Sequence, residues 1–175
     1  MTSPLGTHEI LDDGRHRLRY ERSLKHPIER VWRAISDPQE IEAWLARAEV
    51  DLRPDGRIHL EWLNTDENGQ RYEGAEMTAT IRRLDPPHLL EYEGHGHGLL
   101  TWELRERGDE TDLTLTCVVE LPEDQLPDNR SGWHIHIDFL EDFLDEGTRV
   151  DWPNWPRDRW AAVHERYEAS MRPIS

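Results

Sequence analysis

Ser131 to Gly147 reads SGWHIHIDFLEDFLDEG, and the spacing of its apolar residues dictates how the rest of the chain must be arranged. Trp133, Ile137, Leu140 and Leu144 recur at helical intervals, and Phe139 and Phe143 widen that stripe to well over half the helix surface. A helix this apolar cannot lie on a surface. It needs cover on two sides, and several short upstream segments read as strands of a sheet able to wrap around it.

Working outward, GRHRLRYERSL alternates Leu18, Tyr20 and Arg22 with polar neighbours and predicts a first strand, broken at His26 and Pro27. Ile28, Val31, Trp32 and Ile35 follow at i, i+3, i+4 and i+7, which predicts a short helix over 28–35 opened by proline. Asp37 as N-cap and Pro38 in the first turn open a second helix over 38–47, with Ile41, Trp44, Leu45 and Ala48 as its buried stripe. From Glu49 to Leu121 the period changes to two, with turns at RPDGR (53–57), NTDENGQ (64–70), Asp85 to Pro87, GHGHG (94–98) and RGDET (107–111). That is the pattern of an antiparallel meander. The expected fold class is therefore α+β, a curved antiparallel sheet of about six to seven strands around a long helix over 127–146, with two short helices after the first strand.

Past Gly147, VDWPNWPRD forms a proline-stiffened connection, and Trp160, Val163, His164, Tyr167 and Met171 return to helical spacing, predicting an extra C-terminal helix. It would pack on the outside of the fold, close a cavity mouth or make a subunit contact. Residues 1–13 show no periodicity and read as a flexible tail, leaving 14–172 as a single domain with 148–172 as its C-terminal helical extension.

A chain of 175 residues with 35% hydrophobic residues but eight Trp can bury one sizeable core. Acids outnumber bases 37 to 21, for a net charge of −16, which argues against nucleic acid or an anionic membrane as the main partner. The single Cys117 excludes an intramolecular disulfide, and its alternation with Leu113, Leu115, Val119 and Leu121 makes it a buried hydrophobe rather than a nucleophile. No N-terminal apolar run resembles a signal or membrane span, so a cytoplasmic monomer or homodimer is expected.

His95 with His97, and His134 with Asp138, are each spaced to begin a metal site, but neither supplies three ligands, so no metal and no cofactor are expected. GHGHG lacks the strand and helix context of a phosphate loop and reads as a hairpin turn. Glu91 with Glu93 and Glu141 with Asp142 are paired carboxylates in a charge-rich chain, and only one placed inside a cavity would serve as an acid or base. No Ser, His and Asp set reads as a triad.

The order of elements, together with LDPPHLLEYEG (84–94), LLTWEL (99–104), TDLTLT (111–116) and SGWHIHIDFLEDFL (131–144), resembles the bacterial proteins named for the activator of Hsp-90 ATPase, within the START-like (SRPBCC, helix-grip) superfamily. The resemblance runs from about residue 15 to 146. It implies a sheet gripping the long C-terminal helix, with an apolar cavity between them. Trp44, Trp62, Tyr92, Trp102 and Trp133 fall on faces predicted to be inward, and with Ile137 and Leu140 they are the candidate ligand-binding residues. The alternative is that these large side chains simply fill a core. The function expected is non-catalytic binding of a small apolar or aromatic molecule. Two alternatives stand beside it: a cyclase- or dehydratase-like enzyme on the same scaffold, which would need a buried polar group in the cavity, and a chaperone-interacting protein.

Overall fold

The computed structural model describes residues 2–173. Strands β1 (Thr7–Ile10), β2 (His16–Leu24), β3 (Arg47–Val50), β4 (Arg57–Glu61), β5 (Glu76–Asp85), β6 (Leu89–Gly94), β7 (Gly98–Arg107) and β8 (Glu110–Val119) form one sheet in the order β1-β2-β8-β7-β6-β5-β4-β3. Every pairing is antiparallel. Helices α1 (Ile28–Ser36) and α2 (Pro38–Trp44) lie between β2 and β3, and α3 (Leu126–Glu146) and α4 (Arg157–Met171) follow the last strand.

Strict alternation makes one face of this sheet the core. Along β2 every second residue from His16 to Leu24 is buried, and β8 buries Leu113, Leu115, Cys117 and Val119 in the same way. Register aligns these positions into rows that cross the sheet. One runs Tyr20, Leu115, Trp102, Leu90, and the next runs Leu18, Cys117, Leu100, Tyr92, Ile81. Against them lies α3, which buries eleven of its 21 residues, more than a single amphipathic stripe provides, because α1, α2 and α4 cover what the sheet leaves open. Each fully buried Leu or Ile there contributes on the order of 1.5–3 kcal/mol.

Local chemistry accounts for the element ends. The Asp37 carboxylate accepts from the Gln39 N–H at 2.9 Å, capping α2 with Pro38 behind it. Gly147 adopts φ 71° and its N–H closes α3 on the Phe143 carbonyl.

Three expectations need correction. The second helix, predicted over 38–47, stops at Trp44, because the backbone of Arg47–Val50 is claimed by pairing with β4. Among the described residues the sheet has eight strands rather than six or seven. The added strand is β1, inside the stretch 1–13 that reads as a flexible tail; only four residues long and facing solvent, it carries no apolar alternation, and its place is set by pairing with β2. The long helix begins at Leu126, one residue earlier than expected. The hairpin reading of GHGHG holds, with Gly98 at φ +88° where an added Cβ would strike the Val118 carbonyl oxygen.

Candidate functional site

A continuous run of aromatic rings lies between α3 and the sheet. At its buried end Trp44, from α2, packs edge-on against Trp102 at 5.7 Å between centroids and donates its indole N–H to the Ala34 carbonyl at 2.9 Å. Trp102 meets Trp133 of α3 edge-on at 6.4 Å, and Trp133 meets Trp62 edge-on at 6.3 Å. His97, exposed at the tip of the β6–β7 hairpin, stacks on the outer face of Trp62. Edge-to-face contacts of this kind stabilise beyond area alone, by about 0.5–1.5 kcal/mol each.

Exposure grades along the run. Trp44, Trp102, Ile137 and Leu140 are within 1% of complete burial and Tyr92 within 4%, whereas Trp62 and Trp133 are half-buried. Trp62 stands one residue past β4 but keeps its inward phase, because its N–H still bonds the Ala75 carbonyl. A methyl group built on Gly132, the residue before Trp133 in α3, would meet no heavy atom of another element within 4 Å. All seven candidate residues therefore face inward, and Trp62, Trp102 and Trp133 touch one another as a set. Two surface depressions lie elsewhere, one bounded by Arg19, Arg22, Glu103 and Asp112, the other by Thr78, Arg82, Glu93 and Leu99. Neither is lined by the aromatic run.

The C-terminal extension sets the rim. Trp152 donates to the Glu42 carbonyl and Trp155 to that of Thr65, while Arg157 bonds Thr65 and the Asp66 carbonyl. The contacts of Trp155 and Arg157 anchor the loop that follows Trp62, and that of Trp152 ties the connection to α2. Beyond the connection, α4 packs on α3 and buries Val163 and Tyr167.

Sequence reasoning missed a second, polar cluster on the opposite flank of α3. Gly6 N–H donates to the Tyr167 oxygen at 2.8 Å, so the Tyr167 hydroxyl donates in turn to His134 Nδ1 at 2.8 Å. That leaves the His134 Nε2–H for Ser3 Oγ at 2.7 Å, with Asp138 at 3.5 Å from the same nitrogen. Burial pushes His134 down to about 4, with Arg22 and Arg166 reinforcing the shift and Asp138 opposing it. Ser3 and Asp138 share one ring nitrogen, so the three do not form a triad, in which the acid holds the other. Arg22, buried on β2, sits between Asp138 at 3.3 Å and Glu141 at 2.8 Å. The sequence signals for this cluster were the one-turn spacing of His134 and Asp138 and the inward phase of Arg22 on its strand; the partners brought by Ser3, Gly6 and Tyr167 left none.

The remaining candidate groups stand apart. Glu91 lies on the outer sheet face, held by Arg83 and Thr101, which keep its carboxyl below the ordinary carboxylate range. Glu76 is exposed. Burial pushes the Cys117 thiol well up, as befits a core position. Among the described residues no group of three or more His, Cys, Asp or Glu converges to hold a metal ion, and no helix is long and apolar enough to cross a membrane.

A curved antiparallel sheet closed on a long C-terminal helix defines the helix-grip class. The crystal structure of CalU16 from Micromonospora echinospora superposes with a TM-score of 0.65 over 94% of each chain at 22% identity. EF2215 from Enterococcus faecalis, a conserved protein of unknown function, gives 0.71 over 96% of this chain and 92% of that one at 13% identity. DynU16, from the dynemicin biosynthetic locus, gives 0.62 at 19% identity over 78% of this chain and 50% of that one. At these identities the likeness is one of fold. The model of the family described as Activator of Hsp90 ATPase homolog 1-like protein matches residues 25–145, and the chain belongs to that family. No curated protein is similar enough in sequence to count as a relative. The match stops short of α4, yet overlaps of 94% and 96% leave at most about ten residues of this chain unaligned, so the 15-residue α4 has at least a partial counterpart in both structures.

Proposed function

We propose that the chain binds a small apolar or aromatic molecule, without transforming it, at the open end of the aromatic run, with Trp62 and Trp133 as walls and Trp102, Tyr92, Ile137 and Leu140 behind them. The observation that carries this reading is the partial exposure of two tryptophans, packed edge-on against each other, that continue inward to fully buried rings. Large apolar side chains left partly in water at the end of an otherwise sealed core favour a flat apolar partner that covers them. The enzymatic alternative would need an acid or base beside these rings. The polar cluster of His134, Asp138, Glu141 and Arg22 instead faces β2, α4 and the N-terminal segment, and His136 spends Nδ1 on the Trp44 carbonyl at 2.9 Å.

The test pairs tryptophan-fluorescence titration with an uncharged apolar probe, N-phenyl-1-naphthylamine, and urea unfolding of Trp133→Ala. Saturable probe binding is expected. The substitution is expected to cost less than the roughly 3–5 kcal/mol of truncating a tightly packed tryptophan, since Trp133 is only partly buried. Absence of probe binding together with the full packing penalty would leave these rings as core only.

A further inference from the structure

Among the fully buried tyrosines and tryptophans, each hydroxyl or indole proton but one has a protein acceptor among the described residues. Tyr20 donates to the Arg130 carbonyl at 3.0 Å and Tyr167 to His134. The indole N–H groups of Trp44, Trp152 and Trp155 each reach a backbone carbonyl. Tyr92 differs. Its oxygen lies 3.1 Å from Trp102 Nε1, and an indole N–H can only donate, so the Tyr92 oxygen is the acceptor of that bond. Its own proton then needs another acceptor, and none is present among the described residues, although the side chain is 4% exposed. A buried hydroxyl donor left unspent costs free energy that a bound acceptor would recover. Burial holds the phenol well above its ordinary value, so it carries its proton at neutral pH.

Trp62 and Trp133 at the rim also have no protein acceptor for the indole N–H among the described residues, as is true of the half-buried Trp32 and Trp160, but these nitrogens are open to water and are not sealed donors. The aromatic run thus offers one unspent buried donor, the Tyr92 O–H, and among the described residues no side-chain carboxylate hydrogen-bonds to it. A plain hydrocarbon would leave the Tyr92 proton unpaired. A ligand carrying an oxygen acceptor would pair it, while a ligand with only donors would meet donors.

Resting on the reading of the aromatic run as a ligand site, we propose that its ligand is a planar aromatic molecule bearing an acceptor oxygen, an aromatic ketone or quinone in class, which takes its hydrogen bond from Tyr92. The ring lies against Trp62, Trp133 and Trp102, and the oxygen end points inward. Tyr92 acts as a specificity-determining donor.

The experiment compares naphthalene with 2-acetonaphthone, titrated against the full chain and against Tyr92→Phe. In the variant the ratio of ketone to naphthalene affinity is expected to fall about three- to tenfold, the range of one hydrogen bond. An unchanged ratio, with both probes bound, would overturn the role of Tyr92 and leave the site standing. Failure of the wild type to bind either probe would remove the site and the inference together. Because Tyr92→Phe also strips Trp102 of its acceptor, 2-acetonaphthone labelled with 13C at the carbonyl supplies a measurement on the wild type alone. A bound resonance shifted downfield from its position in hydrocarbon solvent is expected, and a resonance at the hydrocarbon position would overturn the proposal.

Discussion

Two buried histidines show how much a single position decides. His136 is 5% exposed and His134 fully buried, and both are pushed down to about 4 from an ordinary 6.5, chiefly by burial. In the unfolded chain they take up protons as pH falls below 6.5, while in the native chain they do not until about 4. The unfolded state therefore binds more protons across that window, so stability is fully present above it and is lost as pH falls through it, at up to about 1.4 kcal/mol per pH unit for each histidine. His136→Asn keeps a donor near the Nδ1 position, facing the Trp44 carbonyl, without a titrating group. Urea unfolding at pH 7 and pH 5 should show a shallower loss in this variant than in the wild type. Equal losses would mean that His136 accepts its proton in the folded chain at no cost.

Among the elements, α3 was the most legible in the sequence and carries the least expected residue. Its apolar spacing announces a helix needing cover on more than one side, and its C-terminus ends at a glycine in the left-handed conformation that only Gly adopts without strain. Gly132, however, sits inside the helix, where glycine costs about 1 kcal/mol relative to alanine. Space is not the reason, because a methyl group there meets nothing within 4 Å. Gly132→Ala should thus raise stability by about 1 kcal/mol in thermal or urea unfolding. If ligand enters beside Trp133, the same variant should bind naphthalene more weakly. A stabilised variant with unaltered probe affinity would move the entrance away from α3.

At the scale of the molecule, the N-terminal segment works as a strap across the end of α3 and α4. Arg22 of β2, Arg130 of α3 and Arg166 of α4 each donate to one of its carbonyls, those of Pro4, Gly6 and Ser3. Gly6 N–H and Ser3 Oγ complete the polar cluster through Tyr167 and His134. Removing residues 1–6 would strand these groups, among them the buried guanidiniums of Arg22 and Arg130, and should cost on the order of 3–6 kcal/mol, read as a lower urea midpoint with the slope retained. A truncated chain as stable as the full one would show the strap to be dispensable.

What the sequence determined by itself is what a period can encode. Helices α1, α3 and α4, the inward phases of β2, β4 and β8, the turn positions and the Asp37 cap are local patterns, each readable because every buried side chain on an element repeats at that element's own interval. The inward direction of Trp44, Trp62, Tyr92, Trp102 and Trp133 was legible for the same reason. Strand β1 was not, since four largely exposed residues carry no apolar period and are held by the hydrogen-bonding edge of β2. Nor was the end of α2, which pairing with β4 overrides. The buried polar cluster joins residues more than 100 positions apart, from Ser3 to His134 and from Arg22 to Asp138, and no local pattern relates such partners. Which tryptophans stay half in water, and that Tyr92 keeps an unspent donor, was likewise decided only when the sheet closed on α3. Exposure and hydrogen-bond completion depend on what arrives from elsewhere in the chain, and that is set by the tertiary structure.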